Sequence, residues 1–101
     1  MVRYIFNTSG DYRAFVYNDN LFDPDCNWIG FIINGNEVYN SSSLEFIGYI
    51  LDDDRIVVKK HDLRKLRPLR PLRPLRPLRP LRPLRRLRKV LLPYPYIDIF
   101  E

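Results

Sequence analysis

The chain has very little of what holds small secreted domains together or builds metal centres. It contains one cysteine, Cys26, and one histidine, His61, in 101 residues. One cysteine cannot form an internal disulfide, and one cysteine with one histidine cannot supply the four ligands of a structural zinc. We therefore expect an intracellular protein without a structural metal, and we expect oligomerisation to stabilise so small a chain.

Long apolar runs are also missing. The chain begins MVRYIFNTSG, so the three residues YIF after Arg3 give way to polar residues instead of continuing as the apolar segment of a signal peptide. No stretch approaches the roughly 18 apolar residues of a membrane-spanning helix. The sequence therefore predicts a cytoplasmic protein with no membrane span.

Motifs for catalysis and ion binding are absent as well. The sequence has no phosphate loop and no dinucleotide fingerprint, and neither Cys26 nor His61 has a catalytic partner nearby in sequence. The stretch DPDCNWIG resembles the start of a calcium loop, but Trp28 occupies the position where that loop requires glycine. We interpret this stretch as a turn, and we expect no enzymatic activity, no cofactor and no metal.

The net charge of +5 is distributed unevenly along the chain. Residues 1–58 carry a net charge of −6, residues 59–89 a net charge of +13, and residues 90–101 a net charge of −2. The acidic head could attract the basic segment, or the basic segment could bind an external anion.

Three similar units follow one another in the acidic head. They begin at Ile5, Leu21 and Val38, and RIVVKK from Arg55 reads as the first strand of an unfinished fourth. Each unit has two short strands, rich in aromatic and β-branched residues, separated by clusters such as NTSGD and NSSS that favour turns. This pattern predicts an all-β fold, a small antiparallel meander of three hairpin-like repeats without helices.

The longer strand of each unit is apolar on both faces. Strict alternation in WIGFII places Trp28 and Gly30 on one face and Phe31 on the other, and FIGYIL repeats the pattern. The central glycines indicate a bend, a bulge or the close approach of another backbone. A small head cannot cover both faces, so we expect symmetric association to bury the second. The candidate residues for a shared apolar axis are Trp28, Gly30, Phe31, Phe46, Gly48 and Tyr49.

A triplet repeat of Leu, Arg and Pro follows the head. A proline at every third position excludes an α-helix and favours polyproline II, which has three residues per turn. The repeat therefore forms separate edges along an arm that could reach roughly 70 Å. The apolar edge comprises Leu66, Leu69, Leu72, Leu75, Leu78, Leu81 and Leu84, and the basic edge Arg67, Arg70, Arg73, Arg76, Arg79, Arg82 and Arg85.

The two edges call for different surroundings. The leucine edge calls for an apolar groove, and the arginine edge for water or carboxylates. The ending VLLPYPYIDIFE is apolar and aromatic, so it could dock on the head and anchor the arm. The alternative is a disordered low-complexity expansion. Ten arginines between Arg64 and Arg88 could bind nucleic acid, and the repeated PxxP could bind an aromatic-lined groove.

The units LFDPDCNWIGFIINGNEVYN and FIGYIL, joined to a proline-rich tail of period three, resemble the bacterial 4-fold beta flower proteins. The resemblance implies small β subunits assembled around a fourfold axis, and it brings no catalytic motif. The sequence departs from this pattern in its arginine-rich tail and in Ala14, which stands where glycine is expected.

Together these features predict three parts. Residues 1–60 form a β-repeat oligomerisation domain, residues 61–90 the Leu-Arg-Pro arm, and residues 91–101 an apolar anchor segment. We expect a non-enzymatic homo-oligomer, with a tetramer favoured, that could hold a hydrophobic small molecule at its axis. The alternatives are an anion-binding protein that uses the arm on nucleic acid or acidic surfaces, and a proline-rich ligand for a groove-bearing partner.

Overall fold

The computed structural model describes residues 2–59 and 67–101, so Leu66 of the predicted leucine edge lies outside the described residues. Eight strands form one sheet in which each strand pairs antiparallel with the next along the chain, which confirms the all-β meander. No described segment is a helix that could cross a membrane. The strands are β1 Arg3–Phe6, β2 Tyr12–Tyr17, β3 Asn20–Phe22, β4 Trp28–Ile33, β5 Glu37–Asn40, β6 Phe46–Ile50, β7 Ile56–Lys59 and β8 Tyr96–Asp98.

The strands group into four two-stranded units rather than three. β7 is the first strand of the fourth unit, as RIVVKK indicates, and its partner β8 comes from the end of the chain, with Val57 opposite Asp98. The arm therefore begins and ends within the fourth unit. Sequence reasoning missed this completion because the two strands are separated by the whole repeat.

A bulge recurs at the same place in the first three units. The register shifts between Ile5 and Phe6, between Leu21 and Phe22, and between Val38 and Tyr39. A bulge adds one residue to one strand, so alternation on that strand changes phase. The fourth unit pairs without this shift.

The bulges correct the predicted faces of the long strands. Trp28 pairs with Phe22 and Phe31 pairs with Asn20, so Trp28 and Phe31 lie on one face although alternation separates them. Phe46 and Tyr49 are likewise brought to one face, with ring centroids 5.0 Å apart. The six residues predicted to line one axis therefore divide between an aromatic face and the opposite face, which holds both glycines.

The glycines in the long strands allow the next unit to approach. A Cβ atom on Gly30 would lie 2.7 Å from the carbonyl oxygen of Tyr39, and one on Gly48 would lie 2.5 Å from that of Val57. Of the readings that strand glycines suggest, a bulge and the close approach of another backbone are both present beside Gly30 and Gly48.

Aliphatic side chains from all four units meet inside the curled sheet. The buried members of this cluster are Ile5, Ala14, Leu21, Val38, Ile50 and Ile56, with Ile99 and Phe100 packed against them. A cluster that joins the first and last units requires the sheet to curl. The centre of the head is therefore a packed aliphatic core.

Part of the aromatic face is buried within the single chain. Phe6, Phe15 and Phe22 are at most 1% exposed, and the Phe15 and Phe22 rings stack with centroids 5.3 Å apart. Curling of the sheet and the crossing arm therefore cover part of the second apolar face within one chain, whereas Trp28, Phe46 and Tyr49 are half-buried.

The first and last units are joined by buried polar groups. One carboxylate oxygen of Asp98 accepts hydrogen bonds of 2.8 Å from both the backbone N–H and the hydroxyl of Thr8. Arg55, which is also buried, donates from Nη1 to the Thr8 hydroxyl oxygen at 3.2 Å and to the carbonyl oxygen of Val90 at 2.8 Å. The Asp98 carboxylate and the Arg55 guanidinium thus have hydrogen-bond partners although they are buried. Because Arg55 also binds the carbonyl oxygen of Val90, these bonds fix the end of the arm to the junction between the first and last units.

Candidate functional site

The described part of the arm, residues 67–90, curves around the head instead of projecting from it. It contacts Glu45 in the third unit, then Asp25 in the second, then Asp11 in the first. An extended chain of this length would span roughly 70 Å, whereas the largest extent of the Cα positions is 36 Å. The arm is therefore a curved strap that visits the units in reverse order.

Exposure along the arm repeats every three residues. The prolines from Pro68 to Pro83 are half-buried, whereas the leucines and arginines between them are exposed. The proline edge therefore faces the head, and the other two edges flank it.

The arginine edge holds the strap through carboxylates of the head. Three pairs join Arg67 to Glu45 at 3.1 Å, Arg79 to Asp25 at 3.0 Å and Arg85 to Asp11 at 3.0 Å. Each is an exposed pair worth about 0–1 kcal/mol, so the contribution comes from the series rather than from any one pair. Three of the seven arginines of the predicted basic edge therefore contact carboxylates of the head.

Backbone carbonyls and aromatic rings of the head provide further contacts. Arg70 donates to the carbonyl oxygen of Ser42 and Arg76 to that of Asp25, both at 2.7 Å. The Arg86 guanidinium carbon lies 4.0 Å from the centroid of the Phe6 ring. Guanidinium groups both donate in a fork and stack on rings, so arginine suits this mixed surface.

Main-chain hydrogen bonds fix the C-terminal part of the strap to the first unit. Arg86 N donates to the carbonyl oxygen of Gly10 at 3.0 Å, and Lys89 N donates to that of Thr8 at 2.8 Å. The Tyr4 hydroxyl donates to the carbonyl oxygen of Leu81 at 2.8 Å. These bonds set the distance and rotation of the strap, and no sequence motif announces Tyr4, Thr8 or Gly10 as its holders.

The leucine edge points away from the head. Leu69, Leu72, Leu75, Leu78, Leu81, Leu84 and Leu87 are between 90% and 94% exposed. Among the described residues, no apolar groove of the same chain covers this edge. At roughly 100 Å² for each leucine, the row offers more apolar surface than the largest patch on a typical monomer, about 300–600 Å².

Two further predicted features have a definite place. In the DPDCN turn the Asp23 carboxylate accepts hydrogen bonds from the backbone N–H groups of Asp25 and Asn27, both at 2.9 Å, so the stretch is a turn. No cluster of potential metal ligands occurs among residues 2–59 and 67–101. Between β6, β7 and β8, a cleft of about 530 Å³ is lined mainly by apolar side chains, including Leu51, Val57 and Leu92.

Two ionisable groups beneath the strap have shifted pKa values. Burial raises the pKa of Tyr12 to about 12, so its hydroxyl stays neutral beneath the Arg82 guanidinium. Burial alone would raise the pKa of Asp54, but hydrogen bonds from Arg3 and Arg86 outweigh burial and hold that pKa below its ordinary value of 3.8. The Asp54 carboxylate therefore links Arg3 of β1 to Arg86 of the strap.

Replacing Asp54 by asparagine is expected to cost about 1 kcal/mol of stability at neutral pH. The folded-state pKa lies below 3.8, so this contribution is present above pH 3.8 and disappears as the pH falls through the folded-state value. Urea unfolding of D54N and the parent at a series of pH values measures the difference. D52N, changed at an exposed position of the same turn, is the control, and a difference that grows on acidification would contradict the assignment.

A sequence model of the 4-fold beta flower proteins matches residues 3–94, which is nearly the whole chain. Comparisons with curated proteins and with solved structures gave no match. The match spans the first three two-stranded units, β7 and the whole arm, whereas β8 lies beyond it. By this match and this fold, the chain belongs to the 4-fold beta flower protein family.

Proposed function

We propose that this protein is a non-enzymatic, self-associating interaction module. The head holds the arm in a fixed curve and presents the leucine edge to further copies of the chain. The observation that supports this proposal is the row of seven leucines, each at least 90% exposed, on an arm whose other two edges contact the head. An apolar row of this size is typical of an interaction surface.

The proposed assembly is a homo-oligomer that forms through the leucine edge of the arm. The fourfold repetition lies within one chain, so the family description does not by itself require four subunits. The surplus apolar surface lies on the arm rather than on the strand faces. A tetramer remains the favoured state, with the leucine edges buried between copies of the chain.

Changing Leu75, Leu78 and Leu81 together to serine is expected to weaken self-association about 1,000-fold or more, since three buried leucines at about 1.5 kcal/mol each contribute about 4.5 kcal/mol. Light scattering and sedimentation across a concentration series measure this. The fold should survive, because exposed substitutions usually change stability by less than about 0.5 kcal/mol.

Leu78→Ser and Leu91→Ser form a matched pair of single changes. Leu91 is 67% exposed but lies outside the leucine row, so only the change at Leu78 should weaken association. A parent protein that stays monomeric at every concentration would refute the proposed self-association.

The second candidate function is binding of an anionic surface or nucleic acid by the arm. It is favoured by Arg73, Arg88 and Lys89, which have no carboxylate partner among the described residues. A titration with DNA at increasing salt distinguishes the two functions, because phosphate binding weakens steeply with salt whereas burial of leucines does not. A groove-bearing partner for PxxP would have to displace the half-buried proline edge from the head.

Binding of a hydrophobic small molecule also remains a proposal, at a different place from the one expected. The aliphatic cluster fills the centre of the single curled sheet, whereas the expected ligand site was the axis between subunits. The cleft beside Leu51, Val57 and Leu92 is the concave apolar surface that such a molecule would use.

A further inference from the structure

We infer that the cleft between β6, β7 and β8 binds a flat aromatic anion, whose ring takes the place of an aromatic side chain that the fourth unit lacks. The inference rests on the proposed binding of a hydrophobic small molecule, and it adds the position and the chemical class of that molecule. Its basis is a difference between the junction of the third and fourth units and the two junctions before it.

A pair of stacked rings lies at each of the first two junctions between units. Phe15 of β2 is opposite Phe22 of β3, and their ring centroids are 5.3 Å apart at an interplanar angle of 23°. Phe31 of β4 is opposite Tyr39 of β5, and those centroids are 5.8 Å apart at 17°. Offset stacked rings attract each other beyond the effect of the area they bury. The same two positions therefore hold an aromatic pair at both junctions.

One ring of this pair is missing at the third junction, where Tyr49 of β6 is opposite Val57 of β7. In each of the first three units, the buried aliphatic residue of the first strand is followed by an aromatic one, namely Phe6, Phe22 and Tyr39. In the fourth unit Ile56 is followed by Val57. A cleft of about 530 Å³ lies beside this valine, and ligand pockets usually measure about 300–1,000 Å³.

The cleft has a buried floor and apolar walls. Val57 is 2% exposed at the floor, and the half-buried Leu51 and Leu92 stand beside it. Tyr96 N donates to the carbonyl oxygen of Pro93 at 2.9 Å, so a turn fixes one wall at the start of β8. A flat ring between these walls would lie over Val57, in the position that an aromatic side chain occupies at the first two junctions.

The rim of the cleft favours an anion. Among the described residues that line the cleft, Lys59 alone is charged, and it forms no ion pair with any of them. Lys59 is two residues after Val57 on β7 and opposite Tyr96 on β8, so the three side chains share the face of the cleft. The exposed Asn36 adds an amide donor at the rim. A carboxylate on the bound ring would therefore accept a charge-assisted hydrogen bond from Lys59.

The probe for this site is 2-naphthoate, compared with its neutral counterpart 2-naphthylmethanol and with the aliphatic anion octanoate. Isothermal titration calorimetry of the full chain should show saturable binding of 2-naphthoate, at least about fivefold tighter than binding of either counterpart. Equal binding of 2-naphthylmethanol would overturn the anionic group, and tighter binding of octanoate would overturn the aromatic class while leaving small-molecule binding intact. Absence of binding by all three probes would overturn both.

Lys59→Met and Lys89→Met form a matched pair that locates the anion. Lys59 lines the cleft, whereas Lys89 lies on the arm outside it. K59M should weaken 2-naphthoate binding about tenfold and leave 2-naphthylmethanol binding unchanged. K89M should change neither. Equal weakening by the two changes would place the anion on the basic surface in general and would contradict the assignment to the cleft.

Val57→Phe supplies the missing ring and should close the cleft. We expect V57F to bind 2-naphthoate at least about tenfold more weakly, and to unfold at the same or a higher urea concentration, because the new ring pairs with Tyr49. Light scattering should show unchanged self-association, since the leucine edge lies elsewhere. Unchanged binding by V57F, or unfolding of V57F at a much lower urea concentration, would show that the cleft does not replace a ring and would overturn the proposed position. K59M, changed at an exposed residue, tests the binding site independently of that outcome.

Discussion

Replacing Gly10 by alanine is expected to destabilise the protein by about 3 kcal/mol and to free the C-terminal part of the strap. Gly10 has φ +93, a backbone conformation that an L side chain rarely adopts, and its added Cβ would overlap the carbonyl oxygen of Arg86. The strap cannot yield locally, because Arg86 N is bonded to the Gly10 carbonyl oxygen in the same contact. Both the turn and the docked strap therefore oppose this change.

Gly35→Ala is the matched control for that experiment. Gly35 also has positive φ, at +84, but a Cβ there would meet nothing within 4 Å. Gly35→Ala should therefore lower the stability only by the strain of placing alanine at positive φ, about 1–2 kcal/mol. The difference between the two variants isolates the contact with the strap.

Urea unfolding measures the two stability changes, and limited trypsin digestion reports on the strap. Most arginines of the arm precede proline and resist trypsin, so cleavage at Arg85, Arg86 and Arg88 is informative. Faster cleavage there in G10A than in G35A is the expected result. Equal stability and equal cleavage in the two variants would show that the strap does not rest on Gly10.

Replacing Asp98 by alanine is expected to cost about 3 kcal/mol and to open the junction between the first and last units. One carboxylate oxygen serves both the N–H and the hydroxyl of Thr8, and the other accepts from the backbone N–H of Phe100 at 2.9 Å. Asp98 is only 7% exposed, so these donors would lose their acceptor in a place that water reaches poorly. Arg55 would also lose the ordered hydroxyl to which it donates.

Asp98→Asn and Glu101→Ala are the controls for this experiment. Asparagine keeps one carbonyl oxygen, so D98N should lose less stability than D98A. Glu101 accepts a 2.7 Å hydrogen bond from the Ser9 hydroxyl at an exposed site, and E101A should cost less than about 0.5 kcal/mol. Hydrogen exchange should show the greatest gain in β7 and β8 of D98A. If D98A and E101A unfold at the same urea concentration, the buried junction does not hold the first and last units together.

Gly10 and Asp98 matter for the proposed function because both help to hold the C-terminal end of the strap on the head. Gly10 seats Arg86, and the junction of Thr8, Arg55 and Asp98 also binds the carbonyl oxygen of Val90. A strap released at this end would no longer present its leucines on one fixed curve. We therefore expect G10A and D98A to weaken self-association, although neither residue touches the leucine edge.

Local patterns were sufficient to identify the strands and turns of the first three units. Turn residues such as those of NTSGD and NSSS act over a few residues, so their effect can be read directly from the sequence. The unfinished fourth unit was visible in RIVVKK, but its second strand was not. Pairing of Val57 with Asp98 depends on a return of the chain that no local preference specifies.

The faces of the long strands show where simple periodicity fails. Alternation assigned Trp28 and Phe31 to opposite faces, and the bulge in the second unit places them together. A bulge depends on the register between two paired strands, which no pattern within one strand specifies. Gly30 was visible in the sequence, but the shift of register beside it was not.

The amino-acid sequence alone determined that the head is an antiparallel β meander and that the arm separates Leu, Arg and Pro with period three, because both depend on preferences within a few residues. Tertiary structure decided which edge of the arm meets the head. Arginine side chains reach the turn carboxylates and carbonyl groups while the half-buried prolines lie against the surface, and the leucines are left facing outward. That choice depends on acceptors supplied by three different units, which become neighbours only when the sheet curls.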